Sequence, residues 1–200
     1  SGTTTHAGLL QRCLAGQGRR VHCTQEPSGG PIGALIRQAL CRRLVVRRPD
    51  GVFAPLDEKT LALAFAADRA DHLHSEILPQ LSSGATVICD RYYLSSLAYQ
   101  SLQLDYQWVR TLNARFIRPD LTIFLDVPPA VGQARMVADR RIAQLYEDTS
   151  RQERVYALYL RAIEELRREG EHIAVISGDQ STEDVHAEIA DVLAGRRPGR

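Results

Sequence analysis

The order in which short apolar runs and helical stripes follow one another limits this chain more than any other feature. Runs rich in β-branched and apolar residues occur at 20–24, 86–90, 121–126 and 173–177. The intervals between them carry helical periodicity at 4–17, 32–43, 57–81, 106–117, 130–139, 151–169 and 182–193. The pattern at 151–169 is the clearest: Val155, Leu158, Tyr159, Ala162, Ile163 and Leu166 share one face, and Gly170 stands where such a helix stops. Apolar strands that alternate with helices predict a parallel sheet covered on both faces, a three-layer α/β/α fold. The expected organisation is one domain over 1–195 with a tail at 196–200. Two stretches break the pattern: 44–56, which holds Pro49-Asp50-Gly51 and reads as a loop, and 139–150, short and rich in charge, which reads as a lid.

Composition excludes several classes of partner. With 25 basic and 24 acidic residues the formal net charge is +1, which argues against a long polyanion such as duplex nucleic acid. A small anionic ligand needs only a few local cations, and with Lys59 the single lysine, any phosphate chemistry here leans on arginine. Cys13, Cys23, Cys41 and Cys89 show no metal-ligand spacing and read as buried free thiols. No apolar run reaches the length of a membrane span, and Ser1-Gly2-Thr3 lacks the character of a secretory signal. The expectation is a cytoplasmic protein without membrane partners.

In open parallel sheets ligands gather at the carboxyl ends of strands. Those ends lead here into Gln25-Glu26-Pro27-Ser28-Gly29-Gly30-Pro31, Asp90-Arg91-Tyr92-Tyr93, Asp126-Val127-Pro128-Pro129 and Gly178-Asp179-Gln180-Ser181. Glycines, carboxylates and an arginine would converge on one rim. Ser1-Gly2-Thr3-Thr4-Thr5 runs straight into a helix, where successive amides suit a phosphate and a hydroxyl suits Mg²⁺; the same residues also make an ordinary helix cap. Asp90 closes an apolar strand, where a carboxylate can hold the water shell of Mg²⁺ and Arg91 can face a phosphate, or the two can form a strand-end ion pair.

Phe65-Ala66-Ala67-Asp68-Arg69 adds a sharper constraint. At helical spacing Arg69 falls between Phe65 and Leu73 on the apolar side, close to Ala62. A guanidinium there is costly unless an anion meets it, either Asp68 or another internal carboxylate, or a ligand phosphate. Phe65 could offer a flat face to a base, or simply pack in the core. Arg135, Arg140 and Arg141 flank the expected lid, the placement needed to close over a triphosphate, whereas Arg151 and Arg154 read as a solvated face. His72, His74 and His186 read as surface residues.

Together, in order, several motifs resemble the thymidylate kinases among the P-loop nucleoside-monophosphate kinases. The resemblance runs from Ser1 to about Leu193. It rests on the second half of a P-loop, on Glu26-Pro27-Ser28-Gly29-Gly30-Pro31-Ile32-Gly33, on Phe65-Ala66-Ala67-Asp68-Arg69, and on Asp90-Arg91-Tyr92 with Ser95-Ser96-Leu97-Ala98-Tyr99-Gln100. Arg118-Pro119-Asp120-Leu121 leading into Leu125-Asp126-Val127-Pro128-Pro129 completes it. The resemblance implies transfer of the ATP γ-phosphoryl to dTMP, with Mg²⁺ as cofactor, in a homodimer packed partly through the 57–81 helix. It places the ATP phosphates on Gly2, Thr3, Thr4, Thr5 and Arg135, and the adenine beside Gly178 and Asp179. It assigns dTMP to Phe65, Arg69, Arg91, Ser96, Tyr99, Gln100, Tyr146 and Glu147. Mg²⁺ falls to Thr4 and Asp90, and the catalytic set is Asp90, Arg91, Arg135, Arg140 and Arg141.

Three departures accompany the match. Thr3 stands where the P-loop has lysine, a loss worth on the order of 10²–10³ in rate unless Arg140 or Arg141 fills the space. Gln25 replaces the arginine of Arg-Glu-Pro. The family's first strand and Gly-x-Asp-Gly turn lie upstream of Ser1, so the expectation is a chain truncated relative to the working protein, or a slot filled by something else. Alternatives are a related deoxynucleoside or nucleoside-monophosphate kinase, and a catalytically degenerate nucleotide-binding protein.

Overall fold

The computed structural model describes residues 2–132 and 149–195. The chain divides into two compact units, a middle unit of Gln11–Phe116 and a terminal unit of Ser1–Leu10 with Ile117–Arg200. Helix α1, Thr3–Gly16, opens the chain.

The middle unit continues with β1 (Val21–Gln25), α2 (Pro31–Leu40), β2 (Val46–Arg47), β3 (Phe53–Ala54) and α3 (Glu58–His72). A π-helical turn, Leu73–Ile77, joins α3 to α4 (Leu78–Ser82); β4 (Thr86–Asp90), α5 (Tyr93–Tyr99) and α6 (Tyr106–Asn113) follow. The π turn has a local cause. Pro79 cannot donate a backbone bond and its ring crowds the preceding turn, so Leu78 donates five residues back, to Leu73, and the helix widens to pass the proline. Asp57 and Asp105 cap α3 and α6 by accepting from Lys59 N and Trp108 N. β1 pairs with β4 in parallel, Val21 opposite Thr86 through Gln25 opposite Asp90, so both strands end on the same edge.

The terminal unit holds β5 (Thr122–Asp126), α7 (Thr149–Arg168), β6 (Ile173–Ser177) and α8 (Thr182–Leu193). β5 and β6 pair in parallel from Thr122 opposite Ile173 to Asp126 opposite Ser177. The α7 stripe packs as its periodicity predicts, with Val155, Ala162, Ile163 and Leu166 buried. Gly170, at φ 87°, turns the chain toward β6. Among the described residues no helix is long and apolar enough to cross a membrane.

Several expectations change. The four expected strands are present, as two parallel two-stranded sheets among the described residues. The 44–56 loop contains the antiparallel β2–β3 hairpin, and α5 forms where no helix is expected. Cys41 is exposed and the other three thiols are half-buried, so none is a core residue. His72 is not on the surface: only 1% of it is accessible, because the α3 stripe that buries Arg69 buries the residue one turn later as well. The expected lid at 139–150 lies outside the described residues except for its last two, which begin α7, and only 130–132 of the helix expected at 130–139 is described.

Candidate functional site

In the middle unit the polar groups are inside. Arg69 on α3 is 1% exposed and Glu26, just past the end of β1, is 5% exposed. Arg69 donates from Nε (3.0 Å) and Nη2 (2.6 Å) to the Oε2 atom of Glu26. Nη2 also donates to Ser96 Oγ at 3.1 Å, and Nη1 to Asn113 Oδ1. Asn113 is itself oriented, its Nδ2 donating to Val109 O at 2.8 Å. The rings of Tyr92 and Phe116 lie 5.2 and 5.5 Å from the guanidinium carbon. Burying an ion pair costs several kcal/mol of hydration per ion. Paired hydrogen bonds and two aromatic faces offset that cost here. Of the two ways to satisfy Arg69, the structure takes an internal carboxylate, and it is Glu26 rather than Asp68, whose oxygens accept from Ser28. Four of the five guanidinium N–H groups are engaged; among the described residues the second Nη1 hydrogen has no acceptor.

The loop that carries Glu26 is fixed from three sides. Asp68 accepts from Ser28 N (2.8 Å) and Ser28 Oγ (2.6 Å), and Arg37 donates to the Pro27 and Ser28 carbonyls. Gly33 leaves room for α2 to abut the loop, since a Cβ there would sit 2.1 Å from Ser28 O.

At the end of β4 the chain turns sharply. Arg91 has φ 71°, a left-handed conformation that non-glycine residues rarely adopt and that tends to mark functional positions. The Cys89 thiol donates to Arg91 O at 3.0 Å, and the exposed Arg91 guanidinium lies 5.6 Å from the Tyr99 ring centre. Burial, and next the charge of Glu26, push the Cys89 thiol and the Tyr92 hydroxyl well above their ordinary pKa ranges. Both stay protonated at neutral pH, and neither has the character of a nucleophile. Phe65 is half-buried and Tyr99 is 46% exposed. Gln100 is buried, and its Oε1 finds no hydrogen-bond partner among the described residues.

The terminal unit contains Gly2, Thr3, Thr4 and Thr5. Gly2, at φ 72°, leads into α1, whose first turn carries no acidic side chain. Asp126 closes β5 and accepts from the Tyr156 hydroxyl at 2.8 Å, while Gly178 N donates to Asp126 O at 2.7 Å. A Cβ at Gly178 would meet Val127 Cγ2 at 2.3 Å, so this approach requires glycine. Asp179 beside it is exposed. Arg135, Arg140, Arg141, Tyr146 and Glu147 lie outside the described residues.

Arg69, Ser96, Arg91, Tyr99, Gln100, Phe65 and Asp90 all fall in the middle unit; Gly2 to Thr5, Gly178 and Asp179 fall in the terminal one. Sequence reading gave no role to Glu26, Asn113 or His72. For His72 a signal existed: residues 69, 72, 73 and 76 share one helical stripe. Glu26 stood on the strand-end rim and at the head of the Glu26–Gly33 motif, but nothing in the sequence tied it or Asn113 to Arg69, 43 and 44 residues away.

Comparison with known proteins matches residues 1–189 to the family model described as thymidylate kinase. A protein of Pyrococcus horikoshii named "Probable thymidylate kinase" is 36% identical over 194 residues, covering 96% of this chain and 90% of its own length. "Thymidylate kinase" of Synechococcus sp. is 37% identical, with 98% and 91% covered. "Thymidylate kinase" of Leifsonia xyli is 39% identical, with 98% and 90% covered.

Proposed function

Because the chain belongs to the thymidylate kinase family, we infer that it transfers the γ-phosphoryl group of ATP to a phosphate oxygen of dTMP, giving dTDP on the route to dTTP. The acceptor oxygen is already anionic, so the protein need not generate a nucleophile. Its work is to hold two nucleotides in line and balance the charge between them. The P-loop, three-layer arrangement is the fold that goes with this chemistry.

The observation that carries the reading is the buried polar cluster beyond the ends of β1 and β4. A base edge needs fixed donors and acceptors, and the cluster offers the spare Arg69 N–H, Ser96 and the open Gln100 Oε1. Phe65 then stacks on thymine, Tyr99 packs under the deoxyribose, and Arg91 takes the monophosphate. Family resemblance gives Tyr146 and Glu147 a role in binding dTMP as well. For ATP, the first-turn amides from Gly2 to Thr5 receive the phosphates with Arg135, Arg140 and Arg141. Gly178 and Asp179 border the adenine.

The Thr4 hydroxyl of the terminal unit and the Asp90 carboxylate of the middle unit are each a hard oxygen donor of the kind Mg²⁺ takes beside phosphate oxygens. Bound there, Mg²⁺ would neutralise phosphate charge. A homodimer built partly on the 58–82 helical run, where Leu63, Leu78 and Leu81 are exposed, and a cytoplasmic setting complete the proposal.

The test is ADP release measured across dTMP, dUMP, UMP, AMP and thymidine. Preference for dTMP with Thr3 in place supports a working kinase. Preference for thymidine overturns the acceptor assignment, and activity that emerges only in Thr3→Lys points to a degenerate site.

A further inference from the structure

Beside Arg69 lies a buried histidine that the proposed reaction does not use. The His72 side chain has no accessible surface, and its Nδ1 stands 3.6 Å from Glu26 Oε1. Neither atom has a hydrogen-bond partner among the described residues, and neither reaches water. Two buried lone pairs facing each other would repel, and each would carry the cost of an unmade hydrogen bond. A proton on Nδ1 removes both penalties with a closure of a few tenths of an ångström. The other ring nitrogen leaves that choice open: Nε2 lies 2.8 Å from Thr24 Oγ1, which can donate or accept, and 3.5 Å from Glu76 Oε2. Glu76 in turn meets His22 Nε2 at 2.7 Å through Oε1.

We propose that His72 is a positioning residue of the acceptor site: it donates from Nδ1 to Glu26 Oε1 and so fixes the carboxylate that aims Arg69. Glu26 is then held at both oxygens, Oε2 by Arg69 and Oε1 by His72. Without the second tether the carboxylate can rotate about its terminal bond and carry the guanidinium away from Ser96. The groups facing His72 are Glu26 from the loop after β1, Thr24 from β1 and Glu76 from its own helical run, with Arg69 and His22 one contact further out. The effect on catalysis rests on the reading of this cluster as the dTMP site; the position of the proton does not.

Two measurements test it. Nitrogen-15 NMR of the histidine rings in the unliganded full chain, with His72 assigned by its loss in either variant below, is expected to show Nδ1 protonated. A bare Nδ1 overturns the proposal whatever the enzyme does. In kinetics, His72→Asn keeps an amide N–H near the Nδ1 position, whereas His72→Gln places it near Nε2. The KM for dTMP should stay within about threefold in the Asn variant and rise about tenfold in the Gln variant, with the KM for ATP unchanged in both. Equal effects of the two variants, or a fall in kcat with the dTMP KM unmoved, contradict it. A wild-type chain that ignores dTMP would instead sink the function and leave the NMR result to stand alone.

Discussion

The two units use the same strand geometry for different ends. Each pairs two five-residue parallel strands, and each has a strand that closes on an aspartate, Asp90 in one and Asp126 in the other. Behind those edges the interiors differ. The terminal unit packs Val155, Ile163, Ile176, Val185 and Ile189 in its interior, and its Arg161–Glu165 ion pair lies toward the surface. The middle unit buries Glu26, Asp68, Arg69 and His72. An apolar core adapts to small changes in shape, whereas a buried charge pair has one satisfactory arrangement. On the proposed reading, the middle unit gives up packing stability for the fixed directions that recognition of a base edge requires, while the terminal unit meets phosphates with backbone amides and arginines.

The comparison breaks most severely at Arg69. Arg69→Ala should cost about 3–5 kcal/mol of stability, because Glu26 is left buried without the cation that balances its charge. Replacing the pair together, Arg69→Met with Glu26→Gln, should recover most of that loss in urea unfolding while the dTMP KM remains high. In the terminal unit Ile163→Ala should cost about 2–5 kcal/mol through a cavity, with the KM for dTMP unchanged.

Arg91 sharpens the point, since its left-handed backbone suits glycine better than arginine. Arg91→Gly should change stability by no more than about 1 kcal/mol yet lower kcat/KM for dTMP by about 10². Thermal melts and initial rates on the same preparation would show the separation. A smaller effect is expected at the α8 cap, where the Ser181 Oγ atom accepts from Asp184 N at 3.1 Å. Ser181→Ala should lower stability by about 1 kcal/mol in denaturant unfolding, with rates unaffected.

The mildest effect concerns a polar residue inside the terminal unit. Burial, and next the charge of His186, hold the pKa of His6 below its ordinary value of 6.5. Below pH 6.5 the unfolded chain therefore binds the proton more readily than the folded one. Stability should fall as pH drops through that value, and be fully present above it. Melting curves between pH 5.5 and 7.5 should show a shallower slope in His6→Asn.

The alternation of strands and helices was readable because β4, β5 and β6 carry apolar runs and α7 is strongly periodic; β4, β6 and α8 fall on their expected spans. The β2–β3 hairpin was hidden: two residues per strand give no period, and Val46, Val52 and Phe53 face outward. Arg69 was recognisable as a buried cation from its helical stripe alone. Its partner was not, because the Glu26 contact spans 43 residues and depends on how the loop after β1 folds back. His72 lay on the same stripe, with Glu76 one turn on, but nothing in the sequence marks the Glu26 carboxylate that faces its other ring nitrogen across 46 residues.

Hydrogen–deuterium exchange with dTMP alone tests most directly whether the polar interior of the middle unit is the acceptor site. Slower exchange is expected at 26–30 and 91–100, with amides at 2–6 and 177–180 unchanged. Protection confined to those latter segments, or none at saturating dTMP, would contradict the account.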